Sequence, residues 1–111
     1  MIGETEFSKQ SERALETLNR TLDVVAENHD VEIMYQGGVL TLEIEEPVLS
    51  KIIVSPNSSA RQIWISAQST SFKLDWSAEG SAFVLASSGE TLNGLLGRLI
   101  GEELGVDSIP L

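Results

Sequence analysis

Apolar residues recur at helical spacing from Thr5 to about Glu27, where Phe7, Ala14, Leu15, Leu18, Leu22, Val25 and Ala26 gather on one side of a helix turning about 100° per residue. Thr5 and Ser8 are the candidate caps for its start. At Asp30 the period shortens to two. Val31, Ile33 and Tyr35 alternate with Asp30, Glu32 and Met34, and Gln36-Gly37-Gly38 supplies a turn into a second strand, Val39 to Ile44. Lys51 to Val54 forms a short third strand ended by Pro56 and the turn residues Asn57, Ser58 and Ser59. In a fourth strand, Arg61 to Ser66, Ile63 and Ile65 share the core face while Gln62, Trp64 and Ser66 take the other. Phe72, Leu74 and Trp76 alternate with Lys73 and Asp75 in a fifth, and Glu79-Gly80 turns the chain into a sixth at Ala82 to Leu85.

Ser87 and Glu90 have the spacing of a capping box before a second helix, whose stripe is Leu92, Leu95, Leu96, Leu99, Ile100 and Leu104. Gly105 is its expected C-cap, after which Val106 and Ile109 fold back on the helices. Gly94, Gly97 and Gly101 each weaken that helix by roughly 0.5–1 kcal/mol relative to alanine, for which close packing or tolerance at a surface is the physical reason. Helix, six strands, helix predicts an α+β two-layer sandwich: an antiparallel meandering sheet with both helices on one face and the other face open to water.

With 111 residues there is room for one core, so residues 1–111 are expected to form a single domain. Hydrophobic residues at 41% and charged residues at 22% suit a globular chain rather than a disordered one. No apolar run is long enough to span a bilayer, and no membrane partner is expected. There is no cysteine, so a cluster cannot be held through thiolates. The net charge of −10 is uneven, with eleven acids against Lys9, Arg13 and Arg20 up to Glu46 and six acids against four bases beyond it. Such a field attracts cations or a basic protein surface and repels nucleic acid.

Glu12, Glu16, Asp23 and Glu27 fall within about 60° of one another on the first helix. His29, Asp30 and Glu32 continue that stripe to the sheet edge, with Glu43, Glu45 and Glu46 as further candidates. A row of exposed carboxylates binds hard cations weakly and with little geometric choice. It serves equally as a solubilising face, and His29 is favourable to the helix dipole when charged, without being a ligand. Trp64, on the open sheet face beside Gln62, is either an interface anchor or a cross-strand packing residue. No Ser-His-Asp arrangement, phosphate loop, dinucleotide fingerprint or zinc-protease motif is present.

The order of elements, the acidic first helix, Asp30-Val31 leading into Gly38-Val39-Leu40-Thr41-Leu42, the segment Gln62-Ile63-Trp64-Ile65-Ser66, and Ser88-Gly89-Glu90-Thr91-Leu92 together resemble the frataxin family from about Phe7 to Gly105. The resemblance implies an iron-binding accessory of iron-sulfur cluster assembly, in contact with the cysteine desulfurase and the scaffold protein. It implies weakly bound ferrous or ferric iron on an acidic ridge, which maps onto Glu12, Glu16, Asp23, Glu27, His29, Asp30 and Glu32. It assigns partner contact to the sheet face at Asn57, Arg61, Gln62 and Trp64. Iron storage or ferroxidase action, with homo-oligomers formed around iron, is the alternative, and a metal-independent acidic interaction domain is the third. The implied compartment is the mitochondrial matrix, or the cytoplasm of a bacterium. Ser55-Pro56-Asn57 departs from the family's amide-rich turn, Thr70-Ser71 from its paired small turn, and Phe83 stands where the family has a tryptophan.

Overall fold

The structure is a computed structural model that describes residues 2–45, 49–67 and 69–111, so the candidate Glu46 lies outside the described residues. The elements are α1 (Glu4–Asn28), β1 (Val31–Gln36), β2 (Val39–Ile44), β3 (Ser50–Asn57), β4 (Gln62–Ala67), β5 (Thr70–Ser77), β6 (Ala82–Val84) and α2 (Leu92–Leu104). The six strands pair in sequence order, each antiparallel to the next. Both helices lay apolar stripes on one face, as the alternation predicts. Phe7, Leu15, Leu18, Leu22 and Val25 from α1 and Leu92, Leu95, Leu96, Leu99 and Ile100 from α2 are buried against Leu40, Leu42, Ile44, Ile52, Val54, Ile63, Ile65 and Leu74. Each such side chain taken fully from water contributes roughly 1.5–3 kcal/mol, which offsets the entropy of ordering it.

The β1–β2 turn follows from backbone chemistry. Gly37 and Gly38 both take positive φ, +58° and +80°, between the paired residues Gln36 and Val39. That is the two-residue primed turn whose twist matches the flanking strands, and glycine adopts it without steric cost.

Three local expectations are corrected. The N-cap of α1 is Gly3 rather than Thr5 or Ser8, and no side chain caps the helix. Glu4 and Glu6 in its first turn supply the favourable charge at the positive end of the dipole. Pro56 does not end β3 but pairs with Ile63 inside it. β2 accompanies β3 only as far as Val54, so Pro56 sits where β3 has a single neighbour and a missing N–H is tolerated. The cap of α2 is Thr91, whose hydroxyl accepts from the Gly94 N–H at 3.2 Å, and not the Ser87–Glu90 box.

Glu90 has another use. It takes a bidentate pair from Arg98, with Nε donating at 2.8 Å and Nη2 at 3.1 Å, while Arg98 Nη1 reaches Glu102 at 2.9 Å. The Arg98 guanidinium, helped by the Ser88 hydroxyl, holds the Glu90 carboxyl below its ordinary value near 4.5. A depressed carboxylate stabilises the fold above its unfolded pKa, and that contribution is lost as pH falls through the folded value. Glu90→Gln is therefore expected to lower stability at neutral pH by about 1 kcal/mol or less, because the pair is partly exposed. Thermal denaturation against pH checks this: the gap between native and variant should close on acidification, and a gap independent of pH would refute the assignment.

Beyond the left-handed C-cap Gly105 (φ 74°), the chain returns along α2. Val106 N–H donates to Gly101 O at 2.9 Å and Ile109 N–H to Gly97 O at 3.0 Å. Ile109 packs on the core as expected, whereas Val106 is exposed. Gly97 and Gly101 are buried beneath this tail, so close packing explains them, and Gly94 is exposed.

Candidate functional site

Two surfaces carry the candidate residues. On α1, Glu12, Glu16, Asp23 and Glu27 are exposed, and Asp30 and Glu32 are exposed beyond its end. The structure seats Glu12 and Glu16 beside Tyr35 of β1, whose hydroxyl pKa is raised by burial and further by Glu16 and Glu12. Asp23 joins Glu32 of β1 and Glu43 of β2 around an open recess of about 610 Å³, lined also by Met34, Thr41 and Lys51. Glu32 lies opposite Glu43 in the β1–β2 register, and Lys51 approaches Glu43 at 3.5 Å. His29 acts through its main chain, donating its N–H to Val25 O at 3.0 Å and accepting from Val31 N–H at 2.9 Å. Among the described residues no three His, Asp or Glu side chains converge closely enough to enclose a metal ion. The ridge is an extended negative field, suited to loose capture of a hydrated hard cation or to a basic surface.

The second surface is the sheet face away from the helices. Trp64 is half-buried there, between Ser55 of β3 and Lys73 of β5 in register. Its indole N–H donates to Gln62 Oε1 at 2.9 Å, Gln62 Nε2 donates to Asp75 Oδ1 at 3.0 Å, and the Lys73 ammonium stands 4.9 Å from the ring centroid. An ammonium over an indole is attracted to the ring's negative face. Asn57 pairs with Gln62 across the strands, but its side-chain oxygen accepts from the Ala60 N–H at 2.9 Å and closes the β3–β4 turn. Arg61 occupies that turn at φ +56° and sends its guanidinium to Ile2 O at 3.3 Å and to Glu4 at 4.0 Å. Gln62 and Trp64 thus form one patch, while Asn57 and Arg61 build the turn beside it. Lys73 and Asp75 complete the patch. Their alternation with Phe72, Leu74 and Trp76 already put them on the open face, but only the β4–β5 register sets them opposite Trp64 and Gln62.

A family model describing a frataxin-like domain matches residues 1–106. The chain is 30% identical over 107 residues to the iron-sulfur cluster assembly protein CyaY of Cupriavidus metallidurans, covering 95% of this chain and 93% of that one. It is 29% identical over 93 residues to the protein of the same name from Azotobacter vinelandii, covering 82% and 83%. The solved structure of frataxin from Psychromonas ingrahamii superposes with a TM-score of 0.81 over 97% of both chains at 18% identity, a likeness of fold.

Proposed function

The chain belongs to the frataxin-like family, and on that premise we propose that it is an iron-binding accessory and regulatory protein of iron-sulfur cluster assembly, contacting the cysteine desulfurase and its scaffold protein. The relatives that carry the assembly name support the process. The observation that carries the contact is the Trp64 patch: a large amphipathic side chain on an open sheet face, ordered by its neighbours before a partner arrives. Aromatic anchors of this kind dominate interface energetics, and charged ridges orient the encounter. The acidic ridge supports two compatible uses, weak attraction of ferrous or ferric iron as cargo and docking on a basic surface of the desulfurase. The site of work on this reading is the bacterial cytoplasm or, in a eukaryote, the mitochondrial matrix.

Cysteine desulfurase turnover in a reconstituted scaffold complex tests the proposal. The native chain should change turnover, and Trp64→Ala should weaken the underlying affinity by about tenfold while leaving the fold intact. Neutralising Asp23 and Glu32 together should reduce iron-induced chemical-shift changes, weaken desulfurase binding at low salt and flatten its loss with rising salt. Unchanged turnover with a matched complex would sink the assembly reading.

A further inference from the structure

We propose that Asp75 is a positioning residue for the partner face, acting through Gln62 to fix the orientation of Trp64; the partner's identity rests on the assembly reading above. The β4–β5 register places Gln62 directly opposite Asp75 and Trp64 directly opposite Lys73, so two cross-strand pairs lie side by side on the open face. The hydrogen bonds between them form a directed chain, from the indole N–H to Gln62 Oε1 and from Gln62 Nε2 to Asp75 Oδ1.

The direction is imposed by chemistry. An ionised aspartate only accepts and an indole N–H only donates, whereas a primary amide offers both an acceptor and a donor. With Asp75 in place, Gln62 must turn its NH₂ to the carboxylate, which leaves its oxygen toward the indole. If Asp75 is lost, nothing distinguishes the two amide orientations at that end, and the flipped one sets a donor against the indole N–H. The Trp64 hydrogen bond is then made to an amide unanchored at its far end and is weakened, so the ring is held less firmly even with Lys73 over its face. Since ordering a large side chain on association costs free energy, a ring held beforehand binds more tightly with no new contact to the partner. One donor and one acceptor of Gln62 are spent inside the chain, which makes Gln62 a relay as well as a surface residue.

The test joins a spectroscopic readout to a thermodynamic one. In ¹H–¹⁵N spectra the chain has two indole resonances, and Trp64→Phe identifies the one from Trp64. Asp75→Ala should shift the Trp64 indole resonance and speed its exchange with solvent, with the Trp76 indole resonance and the thermal midpoint little changed. It should weaken binding to the matched scaffold complex by about fivefold, of the order of one charge-assisted hydrogen bond at a partly exposed site. Gln62→Leu should reproduce both effects. In a Trp64→Ala background, Asp75→Ala should cause no further loss of affinity, because its effect passes through the ring. An unmoved Trp64 resonance overturns the proposal, and so does a further loss in the Trp64→Ala background, which would make Asp75 a direct contact. If the native chain binds no scaffold while Asp75→Ala still frees the indole, the assembly reading falls and the hold of Asp75 on Trp64 stands.

Discussion

Phe83→Ala is expected to cost about 3–5 kcal/mol of folding stability. Phe83 is 2% exposed and is the only wholly core-facing side chain of a three-residue edge strand. Its ring meets Phe7 edge-on at 5.9 Å and 87°, and Trp76 at 5.1 Å and 64°. These contacts tie β6 to the first turns of α1 and to β5, and each aromatic pair adds about 0.5–1.5 kcal/mol beyond the area it buries. Removal of the ring opens a cavity at the sheet edge and frees the start of α1, which has no side-chain cap of its own. Urea denaturation should show a lower midpoint with an unchanged slope, and amide exchange should rise first in β6 and around Phe7. A loss below about 1 kcal/mol would mean that the edge collapses around the vacancy and that the aromatic trio is dispensable.

The fold was legible because its two layers have different periods. The repeat of 3.6 in α1 and α2 and the repeat of two through β1 to β6 leave few ways to hide one face of each element, and the antiparallel meander satisfies all of them. Trp64 was readable as outward-facing for the same reason, since Ile63 and Ile65 could not both be buried otherwise. Legibility fails where a residue's partner is distant in sequence. Glu90 matches a capping box locally, but Arg98 claims its carboxylate from the next turns of α2, and the adjacent Thr91 caps instead. Pro56 signals an ending locally, but the point at which β2 stops pairing with β3 decides what it does. Arg61 lies next to the Trp64 patch in sequence, yet its guanidinium is occupied with the N-terminal segment. Asp75 and Lys73 were visible as polar alternates, but their meaning depends on a register that no local pattern specifies. The acidic ridge shows the converse limit. Its helical spacing is apparent from sequence, while the reach of Asp23 toward Glu32 and Glu43 requires α1 to lie beside β1.

Gly97→Ala should lower stability by about 2–3 kcal/mol, against the direction that helix propensity predicts. Alanine in a helix interior is favoured over glycine by roughly 0.8–1.0 kcal/mol, so propensity alone makes this a stabilising change. A Cβ at Gly97, however, would overlap the main-chain carbonyl oxygen of Ile109, and backbone cannot swing aside as a flexible side chain does. The tail must lift. With it go the Ile109 N–H bond to Gly97 O and the packing of Ile109 and Leu111 on the core. Gly94 is the contrast within the same helix, because a Cβ there meets only the Thr91 hydroxyl at 3.3 Å. Gly94→Ala should stay within about 0.5 kcal/mol of native or gain up to about 1 kcal/mol. Thermal or urea denaturation measures both, and faster amide exchange at Ile109 in Gly97→Ala would locate the damage in the tail. The decisive comparison is a chain truncated after Gly105, in which no carbonyl opposes the new methyl. There Gly97→Ala should become stabilising, as propensity dictates, and the sign of its effect should reverse between the two lengths. The same loss in both chains would place the clash within the helical layer and refute tail docking as the reason that position 97 is glycine.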